Sequence, residues 1–272
     1  MSDIQAIRAV CTPSGSHIFS GCGYPAPSID NFFFRPIFSI GHFHFTKPEL
    51  LAIVAAGVVL TFFWFAFRKP KLVPRGAQNL GELGILFVRD QILRPQLGKR
   101  GDRYLPFLVA LFFFIWIMNI GELIPVVLFP ATSKFAIPLG LTLVVWVTYM
   151  ALGIKNQGPI GYFKNMAVPS GAPWWILPLL SPIELLSNII VRPFTLSIRL
   201  FANMLAGHLL LLVFYAATWY LFSLSVGLLF SATSFVVALI VTLLEVLITA
   251  LQAFIFTTLT AFYFADAIQP SH

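Results

Sequence analysis

An arginine stands in the middle of a long apolar run of this chain. Arg199 lies between Ile183 and Leu224, within the string SIRLFANMLAGH that covers residues 197–208. A guanidinium group stays protonated in essentially any protein environment, and a charge at bilayer depth costs at least about 2.5–3.5 kcal/mol. A membrane protein that retains such a residue generally uses it, so Arg199 points to ion movement rather than to anchoring.

Polar residues recur around Arg199 at helical spacing. They follow steps of four, four, three, four, four and three residues, which is one face of a helix. They are Glu184, Asn188, Arg192, Thr195, Arg199 and Asn203, and the small residue Ala206 continues the same line. Hydrogen bonding between membrane helices is one explanation of such a face. Two arginines and a glutamate on one line favour a functional face instead.

The next apolar run carries a possible partner face. Glu245, Thr249 and Gln252 are spaced i, i+4 and i+7, so they share one side of a helix. His208 follows Arg199 by nine residues, which is about half a turn out of phase, so it points to another helix. If the two helices form an antiparallel hairpin around residue 224, His208 and Glu245 lie at similar depth. A plain buried hydrogen bond between them is the alternative to a functional pair.

Two offset polar paths can be drawn from these residues. Asn119 and Glu122 lie one turn apart in an earlier apolar run. The predicted outer path consists of Asn119, Glu122, His208, Glu245 and Gln252, and the predicted inner path consists of Glu184, Ser187 and Asn188. Arg199 lies between the two paths, and Arg192 and Asn203 lie near it.

This arrangement suits proton movement. Carboxylates and imidazoles bind and release protons, and a fixed cation between two paths repels a hydronium ion strongly at low dielectric. The same cation favours the ionised form of a carboxylate brought beside it. A carrier carboxylate could therefore collect a proton at one path and lose it at the other. The chain has no obvious moving carboxylate of its own, so the carrier is expected on another subunit.

The composition predicts a polytopic membrane protein. Of the 272 residues, 58% are hydrophobic and 10% are charged, whereas soluble proteins carry about 25% charged residues. The net charge of +7 does not suggest nucleic acid, because most of the excess lies in one loop beside a membrane segment, where it sets topology. No cofactor and no metal site are expected.

The predicted fold is all-α and integral to the membrane, with five transmembrane helices and one amphipathic surface helix. Residues 1–46 form an external tail and residues 47–266 form the membrane domain. The spans are expected at about 47–67, 104–129, 136–154, 182–222 and 226–264, with the surface helix at about 77–97 and an inner return loop at 155–181. The last two spans are about twice as long as a bilayer core requires, so they should be strongly tilted.

The charge distribution predicts the orientation. Nine Lys or Arg residues fall between positions 68 and 103, against three (Arg8, Arg35 and Lys47) up to the start of the first span. By the positive-inside rule, the loop after the first span is cytoplasmic, the N-terminus is outside and the C-terminus is cytoplasmic. Cys11 and Cys22 could pair in an external tail, but the sequence does not decide this.

Four strings of the chain resemble subunit a of the F-type ATP synthases. They are RLFANMLAGH at 199–208, Glu245 with LQAFIF at 251–256, Asn119 with GELIP at 121–125, and PIELLS at 182–187 followed by Arg192-Pro193. The resemblance covers most of residues 47–266, and the arginine string is highly specific. Residues 1–46 contain no motif of this family.

The resemblance implies a role for each matching residue. Arg199 matches the essential stator arginine that faces the ring of c subunits, with Asn203 and Gln252 near it. Glu122, His208 and Glu245 match the outer half-channel, and Glu184 and Ser187 match the inner one. The implied partners are the c ring and the b-type subunits of the peripheral stalk, in addition to membrane lipid. The chain would translocate ions without being an enzyme alone.

Some alternatives remain open at the sequence level. A self-contained transporter or channel is disfavoured because the chain lacks an inverted repeat, and a purely structural scaffold is disfavoured by Arg199, Glu245 and Glu122. No sodium cage is visible, so H⁺ is expected rather than Na⁺. The expected location is a bacterial plasma membrane, with an organelle inner membrane as the alternative.

Overall fold

The computed structural model describes residues 38–40, 43–121, 132, 134–167, 175–222 and 227–268. Apart from the connecting turns and loops, these residues are helical, with two three-residue strands, β1 and β2, which pair antiparallel ahead of the first helix. The regular elements are β1 (Phe38–Ile40), β2 (Phe43–Phe45), α1 (Lys47–Phe67), α2 (Ala77–Phe87), α3 (Arg94–Leu97), α4 (Leu105–Ile120), α5 (Ala136–Gln157), α6 (Pro159–Ala167), α7 (Leu177–Leu186), α8 (Arg192–Tyr220) and α9 (Gly227–Ile268).

Five helical runs in the described residues are long and apolar enough to cross a membrane, which confirms the predicted fold class. They are Pro48–Phe67, Ala77–Ile120, Ala136–Gln157, Leu177–Tyr220 and Gly227–Ile268. The fourth and fifth runs contain 44 and 42 residues, or about 66 and 63 Å at 1.5 Å per residue. Both are about twice as long as the hydrocarbon core is thick.

The second run is two helical pieces in sequence. Helix α2 passes through a π-helical turn at Val88–Leu93 into α3, and Gly98, with φ of +61°, ends α3 before the chain turns into α4. The first piece occupies the predicted range of the surface helix, 77–97. It buries Val88 and Ile92 and exposes Leu80 and Leu83, so one side packs on the protein and another presents an apolar surface.

Helix α9 is the centre of the bundle and packs against α8, α4 and α5. Phe256 and Phe264 of α9 are fully buried, and the Phe264 ring stacks on Phe107 of α4 with centroids 5.6 Å apart. Each large aromatic side chain buries a large apolar area, so these contacts fix α4 against the C-terminal half of α9.

Several boundaries differ from the predicted ones. The predicted return loop at 155–181 contains helix α6, and α5 continues to Gln157, where Gly158 with φ of +74° ends it. Tyr162 explains the tight return, because its ring lies where a Cβ at Gly153 would lie. The fourth helical run begins at Leu177, five residues before the predicted start, and α9 continues to Ile268.

The described part of α4 ends at Ile120, so the predicted continuation of the second span to residue 129 lies outside the described residues. The predictions for Glu122, for the turn near 223–225, for Cys11 and Cys22, and for most of the tail 1–46 also lie outside them.

Candidate functional site

Helices α8 and α9 form an antiparallel hairpin, and two polar contacts mark its ends. Near the turn, the Ser231 hydroxyl donates to the carbonyl oxygen of Thr218 at 2.8 Å. At the far end, Arg192 Nη1 donates to Asp266 Oδ2 at 2.7 Å. The other candidate residues on α8, Arg199, Asn203 and His208, lie between these two contacts, so the hairpin fixes their depth relative to α9.

The first polar pocket forms where Gly207 of α8 meets Glu245 of α9. A Cβ at Gly207 would overlap the carboxyl group of Glu245, so the missing side chain makes the room that this group occupies. Glu245 is 2% exposed, and the neighbouring His208 is 9% exposed. The sequence placed His208 and Glu245 at similar depth, and the structure buries both at the same level of the hairpin. We call Gly207, His208 and Glu245 the outer pocket.

The polar face of α9 continues from the outer pocket along the helix. Thr249 is fully buried and Gln252 is 5% exposed, so the predicted i, i+4, i+7 face points into the protein. The Thr249 hydroxyl donates to the carbonyl of Val246, within its own helix, at 2.8 Å. Gln252 Nε2 is buried without a hydrogen-bond partner among the described residues. A buried amide of this kind is costly unless water or another group satisfies it.

Asn119 lies at the end of α4, which packs beside α9. It is fully buried, and its Oδ1 accepts a hydrogen bond from the Thr132 hydroxyl at 3.1 Å. Its Nδ2 is a second buried amide nitrogen without a hydrogen-bond partner in the described part of the chain. Asn119 therefore supplies a buried hydrogen-bonding group three residues before Glu122 in the sequence.

A second polar pocket lies at the opposite end of the hairpin. It is a cavity of about 140 Å³ between α5, α6, α7, α8 and α9. We call it the inner cavity. Its lining residues are Tyr149, Gln157, Tyr162, Asn165, Met166, Glu184, Asn188, Arg192, Tyr263, Asp266 and Ala267.

A π-helical turn, Ser187–Val191, shapes the inner cavity. It leads from α7 into α8, and the Tyr149 hydroxyl donates to the backbone carbonyl of Asn188 in this turn at 2.9 Å. Asn188 is 6% exposed, and its Oδ1 has no hydrogen-bond partner among the described residues. Glu184 and Ser187 are half-buried. Single π-helical turns are often found at functional sites.

Two charged groups of the inner cavity pair with each other, and the Tyr162 hydroxyl is neutral near pH 7. Arg192 forms the ion pair with Asp266, and its guanidinium carbon lies 5.4 Å from the centre of the Tyr263 ring. Burial, followed by the negative charge of Asp266, raises the pKa of the Tyr162 hydroxyl to about 12. Tyr162 therefore stays protonated near neutral pH and remains a hydrogen-bond donor.

Arg199 lies between the two pockets along α8 and lines neither of them. Its side chain is exposed on the outside of the chain, as is that of Thr195 one turn away, and Asn203 is half-buried. Arg199 forms no ion pair with a carboxylate of the described residues. It lies eight residues from Gly207 and seven from Arg192, or about 12 and 10 Å along the helix.

The polar line predicted from Glu184 to Ala206 therefore divides into two parts. Glu184, Asn188 and Arg192 line the inner cavity, whereas Thr195 and Arg199 are exposed on the outside. Arg192 and Arg199 differ by only about 20° around α8. The division therefore arises because the inner cavity, walled by α5, α6 and the end of α9, extends along α8 only as far as Arg192. Arg192, which was predicted to lie near Arg199, is two turns from it on the same helix and forms the ion pair with Asp266.

Several residues of the site were missed by the sequence analysis. Asp266 and Tyr263 near the end of α9 line the inner cavity, as does Tyr149 of α5. Asp266 carried a signal, since it is the last acidic residue of the chain and follows a long apolar run. Tyr149 and Gly207 carried none, because their roles arise from contacts with distant residues.

Chemically, the arrangement is suited to protons. The outer pocket holds a carboxylate beside an imidazole, and the inner cavity holds two carboxylates among hydroxyl and amide groups. These groups exchange protons or hydrogen-bond to water. No group of three or more His, Cys, Asp or Glu residues in the described ranges could hold a metal ion.

Comparison with known proteins agrees with this chemistry. Residues 50–265 match the protein family described as ATP synthase A chain. The chain is 44% identical over 259 residues to an ATP synthase subunit a of Streptomyces lividans, covering 94% of this chain and 92% of the relative. It is 45% identical over 251 residues to one of Frankia alni, covering 90% and 86%. It is 39% identical over 249 residues to one of Rhodococcus erythropolis, covering 90% of each.

Proposed function

Because this chain belongs to the ATP synthase subunit a family, we propose that it moves protons through two offset half-channels which Arg199 keeps apart. A subunit a is a proton-translocating membrane subunit of the F-type complex and is not catalytic alone. In the proposed mechanism this chain is the stator. It delivers protons to a carboxylate on the c ring and receives them from it, which couples proton flow to rotation and ATP synthesis.

The outer half-channel uses Glu245 and His208, with Asn119, Glu122 and Gln252 along the same path. Support comes from the outer pocket, where a buried carboxylate and a buried imidazole lie at one level of the hairpin. The buried amide nitrogens of Asn119 and Gln252 provide donors that water in a path could satisfy. A proton would pass along this chain of groups to the carrier carboxylate.

The inner half-channel uses Glu184, Ser187 and Asn188. The supporting observation is the inner cavity, which Glu184 and Asn188 line together with Arg192 and Asp266. Ser187 precedes Asn188 in the π-helical turn beside the cavity. Glu184 is half-buried, so it can exchange protons with water in the cavity. The hydroxyl groups of Tyr149 and Tyr162 give the cavity a polar wall without adding charge near neutral pH.

The observation that carries the proposal is the position of Arg199 relative to the two pockets. Its side chain is exposed on the outside of α8, where a partner subunit could approach. The buried side of α8 at this level carries Leu196, Leu200 and Met204, each at most 2% exposed. It also carries Ser197, whose hydroxyl donates to the carbonyl of Phe194 in the same helix at 2.9 Å. Because the Ser197 hydroxyl is bonded within its own helix, these side chains offer no continuous chain of proton carriers between the pockets. In the proposed mechanism the proton therefore leaves for a partner carboxylate on the arginine side. Arg199 then stabilises that carboxylate once it is ionised and repels a free hydronium ion.

The partners and location are proposed on the same basis. We expect the c ring against Arg199, b-type subunits of the peripheral stalk elsewhere on the chain, and H⁺ as the translocated ion rather than Na⁺. A bacterial plasma membrane fits the Streptomyces and Frankia relatives, with an organelle inner membrane as the alternative. The excess of basic residues at 68–103 favours a cytoplasmic side for that loop, which gives an external N-terminus and a cytoplasmic C-terminus.

Arg199→Ala in the intact complex tests this function. In inverted membrane vesicles, ATP-driven acidification should fall at least about a hundredfold, because repulsion by one charge at 4 Å is worth about 4 kcal/mol at an effective dielectric of 20. ATP hydrolysis and copurification of the c subunits should persist. Thr195→Ala, on the same exposed face, is the matched control and should keep acidification within about twofold. A scaffold role predicts normal acidification in Arg199→Ala, so that result would refute the proposal.

A further inference from the structure

A large apolar groove opens on the side of the bundle away from the inner cavity. It lies between α1, α2, α4 and α9 and encloses about 650 Å³. Its walls include Phe62 of α1, Leu83 of α2, Trp116 of α4 and Leu251 of α9. Leu83 and Leu251 are 64% and 50% exposed, so the described part of the chain leaves these walls uncovered.

The groove continues along α1. A second hollow of about 440 Å³ shares Val58 and Phe62 with the first and extends from Val54 to Phe65, where it meets Ala77. Val54 and Phe65 are 11 positions apart in the sequence, which corresponds to about 16 Å of helix. One leaflet of the hydrocarbon core is about 15 Å thick. The groove therefore has the length of a single acyl chain rather than of a whole membrane-spanning helix.

A basic loop borders the groove at the Phe65 and Ala77 end. Arg68, Lys69, Lys71 and Arg75 are all exposed in it. The loop is held by the buried side chain of Gln78, whose Oε1 accepts from the backbone nitrogen of Lys71 at 3.0 Å and whose Nε2 donates to its carbonyl at 2.9 Å. The cations are thus kept at one end of an apolar groove that is one leaflet long.

We propose that this groove binds one anionic phospholipid, with an acyl chain along α1 and the phosphate at the loop 68–75. The apolar walls match the chain, and the cations match the headgroup, since each basic residue near a membrane surface attracts anionic lipid by about 1 kcal/mol. The Arg68 guanidinium carbon lies 4.9 Å from the centre of the Trp64 ring. This pairing of an aromatic ring with a cation is typical of the membrane interface.

Photocrosslinking of the intact complex tests the proposal. The complex is reconstituted into phosphatidylcholine vesicles that contain phosphatidylglycerol with a diazirine on its acyl chain, and adducts are mapped by mass spectrometry. Phosphatidylcholine with the same diazirine is the comparison lipid. Adducts on groove peptides, such as those of Leu83 and Leu251, should be at least about fivefold more abundant for phosphatidylglycerol, the factor that corresponds to about 1 kcal/mol.

Two triple variants test whether the cations of the loop 68–75 recognise the lipid headgroup. The triple change Arg68→Gln, Lys69→Gln and Arg75→Gln should bring the ratio of the two lipids close to one. The matched triple Lys99→Gln, Arg100→Gln and Arg103→Gln removes the same number of exposed cations and should leave the ratio unchanged.

Ala250→Phe tests the groove itself, because Ala250 lines it. The larger side chain should lower groove adducts of both lipids severalfold. Equal labelling by the two lipids in the unchanged complex would overturn the proposal, as would the same loss of preference in both triples. An absence of groove adducts would show that a helix of another subunit fills the space and would also overturn it.

Discussion

The outer pocket and the inner cavity lie on the two sides of Arg199 and are built differently. In the outer pocket, a carboxylate that is 2% exposed lies against a glycine backbone, and His208 beside it is 9% exposed. In the inner cavity, the charged groups are accessible, with the side chains of Arg192 and Asp266 exposed by 27% and 48%. The first is formed by close packing, and the second by hydrogen bonds and an ion pair around open space.

This difference indicates how strictly each pocket depends on single atoms. A buried carboxylate in a low-dielectric setting interacts strongly with its few neighbours, and nothing can replace it if it is removed. Groups beside open space exchange with water, and partly exposed ion pairs contribute only about 0.2–1 kcal/mol. Changes in the outer pocket should therefore have larger effects than equivalent changes in the inner cavity.

The largest effect is expected for Glu245→Gln, which keeps the size of the side chain and removes its ability to carry a proton. ATP-driven acidification of inverted vesicles should fall at least about a hundredfold, while the complex still assembles. Glu184→Gln is the matched change in the inner cavity and should cost about tenfold or less, because water and Asp266 remain available there. A larger loss of acidification in Glu184→Gln would mean that the inner cavity, and not the outer pocket, depends more strictly on a single carboxylate.

A smaller effect is expected for Gly207→Ala, which adds one methyl group where the Glu245 carboxyl group lies. Overpacking of this kind costs about 1–3 kcal/mol, so proton transport should fall about tenfold and the complex should unfold at a lower temperature. Gly140→Ala is the control, because a Cβ at this helical position meets nothing within 4 Å. It should be neutral or slightly stabilising. Equal losses in both variants would mean that the outer pocket is not closely packed around Glu245.

Much of the fold could be predicted because the signals were local. Five long apolar runs predicted five spans, and an amphipathic helical pattern predicted the surface helix at about 77–97. Helix α6 was missed because its segment, Pro159–Ala167, is short and bounded by glycines and prolines that also occur in loops. The π-helical turn at Ser187–Val191 was missed because its residues have the same apolar pattern as an ordinary helix.

The candidate site was predictable where a charged residue interrupts an apolar run. Arg199, Glu245 and Glu184 stood out for this reason, and the i, i+4, i+7 face of α9 proved to be buried. The rest depended on contacts between distant residues. Tyr149 reaches Asn188 across 39 positions, and Arg192 reaches Asp266 across 74. Their residue types alone did not indicate a partner.

The smallest effect is expected for the ion pair of the inner cavity. Asp266→Asn leaves a hydrogen-bonding group of similar size beside Arg192, so proton transport should fall no more than about threefold. Arg192→Gln should cost more, because Arg192 also stacks on Tyr263. Acidification rates and unfolding temperatures of the two single variants and of the double variant give the coupling between the residues.

The size of that coupling shows whether the ion pair of the inner cavity is open to water, as the contrast with the outer pocket requires. A coupling of about 1 kcal/mol or less fits a partly exposed pair that only shapes the cavity. A coupling above about 3 kcal/mol, with transport lost in Asp266→Asn, is what breaking a desolvated pair produces. That outcome would mean that the cavity closes around Arg192 and Asp266 in the assembled complex. Both pockets would then be closely packed, and the difference between them would exist only in the chain without its partner subunits.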